Sequence, residues 1–201
     1  MSDPADTNLY LSDPDARLML DFQKGNKKSF EQLLTKYYPP ILNFIYRFLG
    51  DRQAAEDLAQ EVFIKIYNSQ SSYKLQSKFQ TWAYTIAKNL SLNELRKRKR
   101  VMISLDETVE IEGGDIKIQV EDKTALKPGV HLMNEEMTEA VRDAVNALPE
   151  NQRMAVILRR YDGFSYEEIA NTMNTSVKAV KSLLNRAKEN LKIALFKWVK
   201  E

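Results

Sequence analysis

Three groups of side chains in this 201-residue chain have types and spacings that suit binding chemistry. In the first, Lys178, Lys181, Ser182, Asn185 and Arg186 share one face of the segment from Val177 to Lys188. Val177, Val180, Leu184, Ala187 and Leu191 recur at helical spacing on the other face. Amines, a guanidinium, a hydroxyl and an amide along one helix suit phosphates and base edges in a major groove. In the second group, Tyr73, Phe79, Trp82 and Tyr84 are interleaved with Lys74, Lys78 and Lys88, and the block from Arg96 through Arg98 to Arg100 follows directly. Aromatic faces stack on unpaired bases and cations track a single strand's phosphates, so this combination suits DNA whose bases have left the duplex. Trp82, Thr85, Asn89 and Arg96 fall on one stripe, from which Asn89 can reach a base edge. In the third, Asp57, Gln60, Glu61 and Lys65 fall away from an apolar stripe and are flanked by Phe63. From spacing alone such a face is ordinary solvation. As a catalytic carboxylate pair, Asp57 and Glu61 lack a histidine, a cysteine or any nearby base, so a magnesium nuclease is disfavoured. The chain reads as a binding protein without enzymatic activity.

Helices must carry these groups, and the sequence marks where they begin and end. Ser165 and Glu168 have the spacing of a capping box, Asn174 tolerates a left-handed turn, and Thr175 or Ser176 can cap the next helix. Phe164 to Lys188 is therefore read as a helix-turn-helix. Further upstream, Asp13-Pro14 starts a helix that Gly25 ends, and Asn26 caps a second. That second segment runs to Gly50, with Pro39-Pro40 expected to break or kink it. Asp51 caps a third helix with Ala55, Leu58, Val62 and Ile66 inward; Ser69 to Ser72 is a loop, and Phe79 to Arg100 is a fourth helix. Met137, Val141 and Val145 mark another helix, and Pro149 takes the first position of one reaching Tyr161. Phe196 and Trp198 are expected to pad the last helix.

Composition bounds the rest. With 43% hydrophobic and 29% charged residues, the chain is neither disordered nor membrane-spanning, and no apolar run approaches the roughly 20 residues a bilayer needs. The amino terminus lacks the basic and apolar regions of a signal peptide, which places the protein in the cytoplasm. Zero cysteines and a single histidine, His131, exclude disulfides and the usual zinc sites, so neither a metal nor a cofactor is expected. The net charge of +2 hides a segregation. Asp106, Glu107, Glu110, Glu112, Asp115, Glu121 and Asp122 crowd the segment from Val101 to Asn134, between two basic blocks. The expected organisation is all-α, with two small helical domains joined by a flexible acidic linker. Its parts are a disordered tail (1–14), a first domain (15–100), the linker (101–134) and a second domain (135–201).

From about Asp15 to Lys192 the chain resembles the extracytoplasmic-function (ECF, group 4) sigma factors of bacterial RNA polymerase, in the sigma-70 family. Asp57-Leu-Ala-Gln-Glu-Val-Phe63 is similar to the family's clamp-docking motif, and Phe79-Gln-Thr-Trp-Ala-Tyr-Thr-Ile-Ala-Lys-Asn-Leu90 to its promoter-melting helix. Leu148-Pro149 with Arg153 resembles the opening of its C-terminal domain, and the helix-turn-helix completes the order. The resemblance implies that Asp57, Gln60, Glu61 and Phe63 bind core RNA polymerase, a partner comprising beta and beta-prime subunits. It implies that the loop from Asn68 to Lys78 forms a pocket for a flipped base of the minus-ten element. Tyr73, Lys74, Trp82, Lys88, Asn89, Arg96, Arg98 and Arg100 are the candidate contacts there. Lys178, Lys181, Ser182, Asn185 and Arg186 would read the minus-thirty-five element, and an anti-sigma factor is a further implied partner. Leu183 and Asn185 depart from residues common in relatives, so a promoter sequence does not carry over. The two promoter elements lie roughly two dozen base pairs apart, about 80 Å at about 3.4 Å per pair. As a free coil the linker's ends would average about 30 Å, so polymerase is expected to stretch it. The rival is a free-standing helix-turn-helix regulator, which leaves the first hundred or so residues unexplained.

Overall fold

The computed structural model describes residues 12–106 and 131–199, and every regular element among them is helical. Helix α1 (Pro14–Gln23) starts where Asp13 accepts from the Asp15 amide at 3.1 Å, and it ends before Gly25, whose φ of 98° reverses the chain. Helix α2 (Lys27–Leu49) buries Leu33, Tyr37, Ile41, Phe44, Ile45 and Phe48. Asn26 sits at its N-cap position but makes no side-chain capping bond. Of the break or kink expected at Pro39-Pro40, the break does not occur, and the helix runs on through both prolines. Two prolines remove only two helix donors, whereas Tyr37, Ile41 and Phe44 on either side are held in the core. Helix α3 (Arg52–Asn68) is capped by Asp51, which accepts from the Ala54 amide at 3.1 Å. A short 3₁₀ turn (Gln70–Ser72) leads into a loop and then helix α4 (Phe79–Asp106).

Helix α4 continues six residues past the expected end at Arg100, because no glycine or proline follows before Gly113. Helix α5 (His131–Asn146) likewise starts inside the span read as linker. The acidic strap from Glu107 to Val130, including the alternating Ile116 to Val120, and the first eleven residues of the tail lie outside the described residues.

In the second domain, helix α6 (Glu150–Arg160) buries a continuous run from Met154 to Leu158, with Pro149 at the N-cap rather than the first helical position. Gly163, at φ 72°, turns the chain into α7 (Tyr166–Met173), and α8 (Val177–Ala194) follows. The last turn is α9 (Phe196–Val199). Of the two residues expected to pad this end, Trp198 is half-buried and Phe196 is 54% exposed.

The two domains are packed against one another. Tyr84 of α4 and Phe164, which precedes α7, are both buried, with ring centroids 4.8 Å apart. The Tyr84 hydroxyl donates to Asp162 Oδ1 at 3.1 Å, and Lys78 pairs with Glu168 at 2.7 Å. Lys99 pairs with Glu150, Arg153 lies over the Phe48 ring at 4.8 Å, and Arg47 lies over Tyr161 at 4.6 Å. One buried apolar cluster therefore runs from Ala16 in α1 to Val180 in α8.

Candidate nucleic-acid interface

The helix-turn-helix is built as its sequence dictates. Ser165 Oγ accepts from the Glu168 amide at 3.1 Å, and the Ser165 amide donates to Glu168 Oε2 at 2.8 Å, closing the capping box. Asn174 takes φ 52°, a left-handed turn that its short amide tolerates, and Ser176 Oγ caps α8 by accepting from Ala179 at 3.2 Å. Ile169, Ala170, Val180 and Ala187 are buried between the helices and the rest of the domain. Lys178, Lys181, Ser182, Asn185 and Arg186 are all exposed on one side of α8. Tyr166, which sequence reasoning did not single out, extends this surface: Arg159 lies over its ring at 4.9 Å and Lys181 at 5.9 Å. The signal was available, since Tyr166 opens α7 beside a basic helix end.

On the first domain the candidate DNA residues divide. Lys74, Asn89, Arg96 and Arg100 are exposed, and Trp82 is half-buried. Arg96 and Arg100 border a shallow groove with Asn93, Lys97 and Val101, where donors for a phosphate converge. Tyr73 is different: it is 3% exposed, its ring packs on Trp82 at 5.1 Å and Phe79 at 6.2 Å, and its hydroxyl donates to Ser77 O at 3.1 Å. No face of that ring is left for a base. Lys88 is 8% exposed, and burial lowers its pKa because a desolvated ammonium is disfavoured. Arg98 is held by Glu94 at 3.0 Å and by Asp51 at 2.8 Å, which ties α4 to the start of α3. Desolvation works against its charge, but the two carboxylates win and raise its pKa.

A third surface lies on α3. Asp57, Gln60 and Glu61 are exposed, partly balanced by Gln53, which donates to Asp57 at 3.4 Å, and by Lys65, 3.6 Å from Glu61. Phe63, expected on this face, is 4% exposed and packs between Phe30 and Tyr38. Ile64 takes its place at 59% exposure, one turn after Gln60 and Glu61. Its phase on the helix, opposite Val62 and Ile66, was the missed signal. Among the described residues no cluster of three or more His, Cys, Asp or Glu could hold a metal ion, and no helix is long and apolar enough to cross a membrane.

Comparison with known proteins agrees with this architecture. The model of Sigma-70 region 2 matches residues 33–101, and that of Sigma-70, region 4 matches residues 138–191. The chain is 36% identical to the RNA polymerase sigma-H factor of Pseudomonas aeruginosa, over 93% of this chain and 96% of that protein. It is also 36% identical to the ECF RNA polymerase sigma-E factor of Escherichia coli K12, over 83% of this chain and 86% of that one. Among solved structures, the sigma factor RpoE of Bartonella quintana, co-crystallised with the anti-sigma factor NepR, is 29% identical. It superposes with a TM-score of 0.65, covering 84% of this chain and 97% of that one. CnrH, solved with the cytosolic domain of CnrY, shares the fold at 19% identity and a TM-score of 0.67, over 92% of this chain and 99% of that one.

Proposed function

The chain belongs to the ECF group of the sigma-70 family, sigma factors that bind core RNA polymerase and direct promoter-specific transcription initiation, and we propose that three exposed surfaces divide this work. The face of α3 carrying Asp57, Gln60, Glu61 and Ile64 docks on the polymerase, with Phe63 supporting it from beneath. The loop from Asn68 to Lys78 and the outer side of α4 open the minus-ten element. Trp82 and Asn89 meet unpaired bases, while Lys74, Arg96 and Arg100 hold the strand. Tyr73, Lys88 and Arg98 act from within by fixing that surface's shape. The exposed face of α8 reads the minus-thirty-five element through Lys178, Lys181, Ser182, Asn185 and Arg186.

The observation that carries this division is exposure. Twelve of the seventeen residues carried over from the family's motifs, all the α8 set among them, lie exposed on three separate faces. The two DNA-reading faces belong to domains that are docked together, whereas their targets lie about 80 Å apart at about 3.4 Å per base pair. Polymerase must therefore part the domains before both elements are read. A protein of this kind acts in the cytoplasm, where an anti-sigma factor can bind it; RpoE, one of its structural neighbours, was co-crystallised with the anti-sigma factor NepR.

Gel-shift and run-off assays test the proposal. Promoter-specific binding and transcription are expected only when core polymerase is added. Tight, specific binding by the isolated chain on a palindrome, unchanged by core, would instead identify a free-standing regulator.

A further inference from the structure

We infer that α1 is a brace for the minus-ten recognition loop, with Gln23 and Asp13 as positioning residues at its two ends. The inference rests on the reading of that loop given above. Gln23 Nε2 donates to two backbone carbonyls, Gln70 O at 2.6 Å and Tyr73 O at 3.0 Å, so both of its amide hydrogens are committed to the start of the loop. At the opposite end of α1, Asp13 caps the helix with Oδ1 and accepts from the Phe79 amide with Oδ2 at 3.3 Å. Phe79 is the first residue of α4, so its amide is one of the donors that a helix start leaves unpaired. The loop is thus fastened at its entry and at its exit to one rigid ten-residue helix.

That helix is itself anchored elsewhere. Met19 and Phe22 are buried, and Asp15 takes the Lys36 ammonium at 2.6 Å and the Tyr37 hydroxyl at 2.5 Å. A loop left to itself samples many backbone conformations, and a base pocket needs its donors and acceptors fixed to a fraction of an ångström. The brace supplies that order. It leaves Lys74 exposed between the two fastenings while Tyr73 turns inward onto Trp82. The family model for region 2 begins at residue 33, so neither Gln23 nor Asp13 falls within the matched segment.

The test uses holoenzyme reconstituted from core polymerase and the full chain. Gln23→Glu keeps size and shape but turns a double donor into a carboxylate facing two carbonyls. Asp13→Asn keeps an oxygen able to cap α1 and loosens only the loop's exit. The readout is discrimination at the minus-ten element, measured as the ratio of open-complex rates on a matched promoter and one with the flipped base exchanged. Losing two hydrogen bonds from a positioned loop predicts a fall of about ten-fold for Gln23→Glu and a smaller fall for Asp13→Asn. Core affinity and the response to minus-thirty-five substitutions should stay within about two-fold. A third holoenzyme, with residues 74–77 replaced by glycine and serine, reports on the loop directly. If that replacement destroys discrimination while Gln23→Glu and Asp13→Asn preserve it, the brace is refuted and the loop reading stands. If the replacement leaves discrimination intact, the loop reading falls and the brace falls with it. An equal loss across core affinity, minus-thirty-five response and discrimination would mark Gln23 and Asp13 as merely structural and also overturn the inference.

Discussion

Asp162 should set how firmly the two domains hold together. In the docked arrangement its Oδ1 accepts from the Tyr84 hydroxyl, while its Oδ2 is enclosed with no hydrogen-bond partner. Burial pushes the carboxyl up from 3.8 to about 6, with the Tyr84 hydroxyl and the Arg47 charge pulling the other way. Once the domains part, the carboxyl meets water and returns toward 3.8. Because the docked form binds the proton more tightly, docking strengthens as pH falls from about 6 toward 3.8 and loses that contribution above 6. At neutral pH the enclosed charge therefore opposes docking by at most about 3 kcal/mol. Glu168 runs the opposite way: burial raises its pKa, but the Lys78 ammonium and the Ser165 amide outweigh it and hold the carboxyl below its ordinary value. Asp162→Asn keeps an acceptor for Tyr84 and removes the charge. The chain has no cysteines, so dyes placed by Asn68→Cys and Lys188→Cys report the domain separation without interference. The variant should stay docked at pH 7.5 and lose the pH response between 4 and 6, and its affinity for core polymerase should fall by up to about a hundred-fold. A variant whose energy transfer keeps the wild-type pH response between 4 and 6, and whose core affinity is unchanged, would refute the argument.

Three further outcomes are expected. Lys181→Ala or Arg186→Ala should weaken promoter binding by holoenzyme and, for a phosphate contact, reduce the salt slope by about one; a promoter lacking the minus-thirty-five element should show neither effect. Ser165→Ala opens the capping box and should lower the chain's stability by about 1 kcal/mol, read from thermal melting. Ile64→Ser, at a position 59% exposed, should leave stability within about 0.5 kcal/mol yet reduce recovery of the chain on immobilised core polymerase.

Local structure was legible in the sequence because its signals are local. The box between Ser165 and Glu168, the turn at Asn174, the helix start at Asp13-Pro14 and the cap at Asp51 depend on neighbours a few residues away, and all appear as read, whereas Asn26 sits at its cap position without a capping bond. The apolar stripe of α8 and its outward donors followed from period alone. What spacing could not decide was which aromatic or cation in a mixed face turns inward. Tyr73, Phe63 and Lys88 are buried, while Ile64 and Phe196 are exposed, because helices distant in sequence decide which side is covered. Pro39-Pro40 is the same lesson in the backbone: a strong local breaker yields to buried neighbours on both sides. The docking of the domains was invisible for a related reason, since Tyr84 and Asp162 are 78 residues apart and neither is unusual in its own segment.

The hydrogen bonds that cross between the domains run side chain to side chain, whereas the backbone hydrogen bonds of the described residues close within one domain or the other. Glu168 shows what this permits: letting go of Lys78 leaves its bond to the Ser165 amide, so the helix it begins stays wound. The seam works like a clasp whose halves keep their shape when unfastened. If the domains part as proposed, opening and reclosing would be rigid-body swings on the microsecond-to-millisecond scale, with no helix to rewind at each round of initiation.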